Sequence, residues 1–380
     1  MQHKFDEIFS VESLLRAHRK ALKGKRDNQH ATEFDCHLVS NVNALRGDLM
    51  AGRYEPQPYR RMTIMEPKER RIEAPAYRDR LVHHALHAHL NPIYERHFIR
   101  DSYACRAGRG THHAARRVQT FLRSSAQPLY VCQIDISKYY ASINHQRLKE
   151  LLARTGTDQR LLGVLGAIID STDSGHEHDH LFAPDSYFHT KGRRGIPIGN
   201  LTSQLFANIY LHEADKFAKQ RLKIRKYARY MDDILIFHSD KAVLSQYRLA
   251  LVEFLYEQLY LTINPRKVRV YPAARGVDFV GFRIFPYRTL LRSTSIRRFR
   301  RRQKRNLRAL GAGRLKPKDF EASFAAWRAH AGHTSSQGLV DHFERQRDDY
   351  LWAMAIGRWY RRQQRRQHCR PRQLRLFDDK

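Results

Sequence analysis

Lys226-Tyr-Ala-Arg-Tyr-Met-Asp-Asp-Ile-Leu-Ile-Phe237 sets two adjacent carboxylates, Asp232 and Asp233, between two largely apolar runs. Lys226 to Tyr230 and Ile234 to Phe237 read as paired β-strands, separated by little more than a tight turn. The acids then fall at the tip of a hairpin. Burying like charges side by side is costly unless a cation offsets them. Oxygen-only ligands suit Mg²⁺, which keeps part of its water and takes substrate phosphates as further ligands. An Asp-Asp turn on a surface hairpin is the ordinary alternative.

Leu129-Tyr-Val-Cys-Gln-Ile-Asp135-Ile136 is a second apolar strand, with one acid near its end. Two-ion nucleotidyl transfer needs carboxylates from neighbouring strands, holding ions about 3.5–4 Å apart. Asp135 and Asp232 would form that pair.

In these residues the chain resembles reverse transcriptases. Tyr-Met-Asp-Asp after an Asp-bearing strand that leads into Tyr139-Tyr140 is similar to their palm, and further motifs follow in family order from Tyr59 to Leu339. The resemblance implies an α+β fold, a right-hand polymerase with fingers, palm and short helical thumb. It divides the chain into an N-terminal helical region (1–58), fingers and palm (59–285), a helical thumb (286–345) and a basic tail (346–380). It implies catalysis by Asp135, Asp232 and Asp233, with the Ile136 carbonyl a further ligand and Asp233 either structural or orienting the first ion. The ions would be two Mg²⁺, with Mn²⁺ as a substitute.

The other motifs carry narrower expectations. Arg60 to Glu73 reads as a β-hairpin with a basic tip; by resemblance Lys68 and Arg70 meet the incoming triphosphate, where cations offset developing charge. Tyr77 to Phe98 is an amphipathic helix striped by Leu81, Val82, Leu86, Leu90 and Ile93, so its histidines read as structural. After it, Gly108 and Gly110 shape a loop that opens a helix at Thr111, and Arg106, Arg109 and the helix start would hold template phosphates, with a simple loop-to-helix cap the equal alternative. Tyr140 matches the family's aromatic beneath the nucleotide sugar, which excludes a 2′-hydroxyl; a core tyrosine is the plain alternative. Gly195-Ile-Pro-Ile-Gly-Asn-Leu-Thr-Ser-Gln204 matches the motif beneath the template–nucleotide pair. Its Ser203-Gln204 ending resembles the diversity-generating and defence-associated bacterial enzymes, and Ile198 and Gln204 are the residues implied in fidelity. Lys267 matches a family lysine proposed to protonate pyrophosphate, a general-acid role; an ordinary surface lysine is the equal alternative. Val277 to Ile284 reads as one strand with Gly281 inside it, a sign of close backbone approach, here to the primer end.

Near the N-terminus, Phe9 to Leu22 reads as a helix capped by Ser10, and Phe34, Leu38, Val42, Leu45 and Leu49 as one face of a second. Ser295 to Leu310 is a helix with Ile296, Phe299, Leu307 and Leu310 on one side and seven arginines plus Lys304 elsewhere. Arg297, Arg301 and Lys304 are its candidate contacts to a duplex backbone.

Lys plus Arg number 70 against 38 acids, a net charge of +32 spread along the chain, which favours a polyanionic partner. No apolar run approaches the ~20 residues of a membrane span, and the polar N-terminus lacks a signal peptide. Four scattered cysteines argue against a structural zinc site and fit a reducing cytosol; the resemblance implies a bacterial or phage-encoded setting. The polar stretch His176-Glu-His-Asp-His180 reads as a solvated insertion, with metal ligation the alternative. The expected partners are template RNA, the primer–cDNA duplex and dNTPs, with a small basic accessory protein or a partner polymerase beside them. The biological setting stays open between a diversity-generating retroelement and an antiphage system with its own noncoding RNA. A vestigial RNA-binding scaffold is the non-enzymatic alternative, and RNA-dependent RNA synthesis a third.

Overall fold

A computed structural model describes residues 5–24, 29–65, 69–173 and 192–368, with side chains as far as 355. Lys68 and the His176–His180 run therefore lie outside the described residues. The chain divides into two compact units, Met1–Arg275 and Gly276–Lys380.

The first unit opens with α1 (Phe5–Ile8), α2 (Val11–Leu22), α3 (Gln29–Cys36) and α4 (Leu38–Met50). The Ser10 side chain accepts from the Ser13 amide, so α2 starts just after its expected cap. The expected second helix is split: His37 leaves helical geometry (φ −122°, ψ 36°) between α3 and α4. A two-stranded ribbon follows, β1 (Arg60–Ile64) against β2 (Arg70–Ala74). Then come α5 (Tyr77–Glu95), α6 (Thr111–Arg123), β3 (Tyr130–Asp135), α7 (Tyr139–Ser142), α8 (His145–Ala153), α9 (Gln159–Asp170) and α10 (Leu201–Lys216). The unit closes with β4 (Lys226–Tyr230), β5 (Asp233–His238), α11 (Lys241–Leu259) and β6 (Arg269–Pro272).

An antiparallel sheet in the order β4-β5-β3-β6 is the platform of this unit. Its central strands alternate little in polarity because both faces are covered, and Val131, Cys132, Ile134 and Ile234 to Ile236 are inaccessible to solvent. α10 is apolar nearly all round, from Leu205 to Leu211, as a helix buried on every side must be. It packs on α5, where His83 is buried and bonded to the Thr202 hydroxyl at 2.8 Å. Burial pushes the His83 imidazole down to about 3, so it stays neutral, as the amphipathic reading of that helix expects.

The second unit pairs β7 (Val277–Phe279), β8 (Phe282–Ile284) and β9 (Thr289–Leu291) in that order, then adds α12 (Ser293–Gly311), α13 (Pro317–Ala331) and α14 (Gln337–His368). Phe299, Phe324, Trp327 and Phe343 fill the core of this helical unit, Phe299 stacked on Trp327 with ring centroids 3.8 Å apart. Two expectations change here. The stretch read as one strand is a hairpin: Val280 and Gly281 both take positive φ (44° and 91°), the sign pattern of a type I′ turn, so Gly281 lies at its tip. The tail expected to begin at 346 instead continues α14 without a break to His368.

Candidate active site

Tyr230 pairs with Asp233, which leaves Met231 and Asp232 as a two-residue loop. Met231 has φ 56°, as the first central residue of a type II′ turn requires. Glycine usually takes that place; a methionine there holds backbone strain that the surroundings must sustain. On the other flank of β5, β3 runs antiparallel with Asp135 opposite Asp233. The sheet thus delivers Asp135 to the same end as the turn.

The acids act on each other electrostatically. Burial, and then the negative charge of Asp135, hold the Asp232 carboxyl above the ordinary carboxylate range, while Lys267 and Arg70 offset part of that rise. The Lys267 ammonium donates to Asp135 Oδ2 at 2.6 Å. Asp233 is turned to a different partner, accepting from Gln133 Nε2 at 3.0 Å. The structure therefore brings all three expected acids to one end of the sheet, with Asp233 across the ladder from Asp135 and bonded to Gln133. Among the described residues no cluster of three or more His, Cys, Asp or Glu side chains is placed to hold a metal. The Ile136 backbone bridges to Ile263 just past Asp135, and the Asn264 amide donates to the Asp135 carbonyl at 2.8 Å, which fixes the strand end.

Around this pair stand the residues expected to meet a nucleotide. Tyr140 is half-buried, and its hydroxyl points at Met231 Sδ, 3.7 Å away. Burial raises its phenol, with Cys105 and Asp232 adding and Arg70 opposing. Arg70, at the start of β2, is thus felt by both Asp232 and Tyr140. The ribbon is latched to the glycine loop at its base: the Glu73 amide donates to the Ile198 carbonyl at 2.9 Å. Gly199 has φ 142°, and a Cβ there would stand 2.6 Å from the Glu73 oxygen, so glycine is required for the approach. Gln204 is exposed on the first turn of α10.

Arg106 has a structural post. It is buried, and its guanidinium bonds Glu95 at 2.7 Å and the Ile99 and Ser102 carbonyls at 2.6 and 2.7 Å, which commits four of its five N–H donors inside the fold. Arg109 is half-exposed, with one bond to the Arg100 carbonyl. In the second unit Arg297, Arg301 and Lys304 are all exposed on α12. Sequence reasoning missed Arg229 and Asp215, an ion pair with no solvent exposure directly beneath the turn. An arginine inside an apolar strand and an aspartate inside an apolar helix were the available signal.

Two carboxylates with an ammonium drawn onto one of them make an oxygen-only, anionic donor set, which fits a hard divalent cation. The chain has relatives among known proteins. Protein YkfC of Escherichia coli is 29% identical over 299 residues, 69% of this chain and 76% of that protein. The group II intron-encoded protein LtrA of Lactococcus lactis subsp. cremoris is 30% identical over 175 residues, 45% of this chain but 27% of its own length. Among solved structures, apo telomerase from Candida tropicalis aligns with a TM-score of 0.44 at 14% identity, covering 67% of this chain and 60% of that one. Residues 65–284 match the family described as reverse transcriptase (RNA-dependent DNA polymerase), and the chain belongs to that family.

Proposed function

We propose that the chain copies an RNA template into DNA by adding deoxynucleotides to a primer end at Asp135 and Asp232. The observation that carries this reading is the convergence of Asp135, at the end of β3, and Asp232, in the β4–β5 turn, at one end of the sheet, with Tyr140 and Arg70 in their field. Asp135 and Asp232 hold the divalent ions, Mg²⁺ by preference, with Asp233 bracing the strand through Gln133. When bound, such ions favour the primer 3′-alkoxide and offset charge on the departing pyrophosphate.

The protein's own groups do the rest. Arg70 draws the triphosphate in and neutralises part of its charge. Lys68 does the same. Tyr140, propped on Met231, packs under the sugar and leaves no room for a 2′-hydroxyl. Lys267 leaves Asp135 and delivers its Nζ proton to the pyrophosphate oxygen. Ile198 and Gln204 line the base pair, Arg109 meets template phosphates, and Gly281, Arg297, Arg301 and Lys304 meet the primer and duplex. The test is primer extension on an RNA template with Mg²⁺ and dNTPs. A DNA product complementary to the template supports the reading; no incorporation, or incorporation of ribonucleotides only, refutes it.

For biological setting, the Ser203-Gln204 ending favours a diversity-generating retroelement, with a structured template RNA and a small basic accessory protein. Sequencing the cDNA decides it: errors concentrated opposite template adenine support that setting, while faithful or repetitive products point to an antiphage system.

A further inference from the structure

Arg229 stands in the middle of the apolar strand β4 and has no solvent exposure, nor has its partner Asp215 on α10. The pairing is two-pronged: Nε donates to Asp215 Oδ1 at 2.8 Å and Nη2 to Asp215 Oδ2 at 2.6 Å. The Tyr227 hydroxyl donates to the same carboxylate at 2.7 Å. The remaining nitrogen, Nη1, donates to Asn208 Oδ1 at 3.2 Å and to the Met231 carbonyl at 3.1 Å. The backbone is held as well. The Arg229 amide donates to the Asp101 carbonyl at 2.9 Å, and the Tyr103 amide donates to the Arg229 carbonyl at 3.0 Å.

Stability alone is a poor reason for such a pair. Desolvating two charges costs several kcal/mol, roughly what their attraction returns, and apolar replacements are often as stable. The pair does something an apolar core would not: it sends a charged donor to the carbonyl of the strained residue before Asp232. That carbonyl belongs to the Met231–Asp232 peptide, whose tilt sets where the Asp232 side chain points. Asp232 must be held against the Asp135 charge, which opposes it. Met231 is thus gripped twice, at its carbonyl by Arg229 and at its sulfur by the Tyr140 hydroxyl.

We propose that Arg229, locked by Asp215 and Asn208, is a positioning residue that sets the Met231–Asp232 peptide and so aims the Asp232 carboxylate. This rests on Asp232 being an acid of the active site. Outer partners of metal-holding groups typically change affinity or activity by about 10- to 100-fold. The decisive variant is Arg229→Met with Asp215→Asn, which removes both charges together and leaves the Tyr227 hydroxyl an acceptor. Arg229→Lys, which keeps the charge facing Asp215 but loses the fork, is the second variant should the first not fold.

Two readouts separate positioning from mere packing. One is dTTP addition on poly(rA)·oligo(dT), split into kcat and KM; the other is binding of Mn²⁺ alone, followed by electron paramagnetic resonance. The expected result is kcat lower by about 10- to 100-fold, KM for dTTP unchanged, and Mn²⁺ affinity lower by a similar factor, in protein that still melts cooperatively. Folded variants with wild-type kcat and Mn²⁺ affinity, beside an inactive Asp232→Asn control, overturn the positioning role and leave the active site standing. An active Asp232→Asn control removes the site itself.

Discussion

Two hairpins of the first unit share a secondary structure and little else. β4 and β5 are buried along their centres, are extended by β3 on the far side, and are tied to α10 through Arg229. β1 is exposed along its whole length, β2 is exposed or half-buried, and among the described residues no third strand joins them. Isolated two-stranded ribbons are marginal in water, so the β1–β2 ribbon depends on its latch at Glu73 and Gly199. The difference divides the labour. Carboxylates that repel each other need a rigid mount, whereas a cation proposed to close on a substrate gains from a light one.

The largest break in that comparison is Asp232→Asn, expected to lower incorporation at least about 1,000-fold, since it removes a proposed ligand to the charge-stabilising ions. Its effect on stability has the opposite sign. Burial holds the Asp232 carboxyl above its unfolded value, so the ionised form is disfavoured in the fold. That penalty is absent below the unfolded value and complete above the folded one. At neutral pH without divalent ions the amide variant should therefore melt at or above the wild-type temperature. A cooperative transition well below wild type would show that the carboxylate is holding the fold together.

Next in size is a core truncation in the catalytic hairpin. Ile236→Ala removes a side chain with no solvent exposure and is expected to cost about 2–5 kcal/mol in urea unfolding. Arg70→Ala should leave stability alone and lower kcat/KM for dNTPs about 10- to 100-fold, the range of a lost charge-assisted bond. An unchanged kcat/KM would separate the ribbon from the substrate. Tyr140→Ala is expected to relax discrimination against ribonucleotides by about tenfold or more, read from competing dTTP and UTP incorporation. Unchanged selectivity would move the sugar gate elsewhere. The smallest effect belongs to Ile64→Ala on β1, within about 0.5 kcal/mol of wild type. Equal costs at Ile64 and Ile236 would abolish the contrast between the two mounts.

Much of the site was legible because local pattern and long-range pairing agree. The apolar runs around Asp135 and around Asp232–Asp233 demand burial, and burying them side by side brings the acids to one end of a sheet. Asp233 was harder, because its engagement depends on Gln133, a residue that reads as an ordinary strand polar. Arg229 was invisible for a similar reason: a charge in a strand looks exposed until a partner on another element is known, and Asp215 lies on α10. Arg106 erred the other way. Glycines around an arginine suggest a phosphate loop, but Glu95 on the preceding helix claims it. Val280 concealed a turn, since a β-branched residue at positive φ is the last place composition would set one.

The most direct test is anomalous diffraction from crystals soaked in Mn²⁺. The predicted result is a manganese peak bound by the carboxylates of Asp135 and Asp232, with the Lys267 ammonium moved away from Asp135. Strong manganese sites elsewhere, with none between those two carboxylates and Lys267 still bonded to Asp135, would contradict the proposed centre.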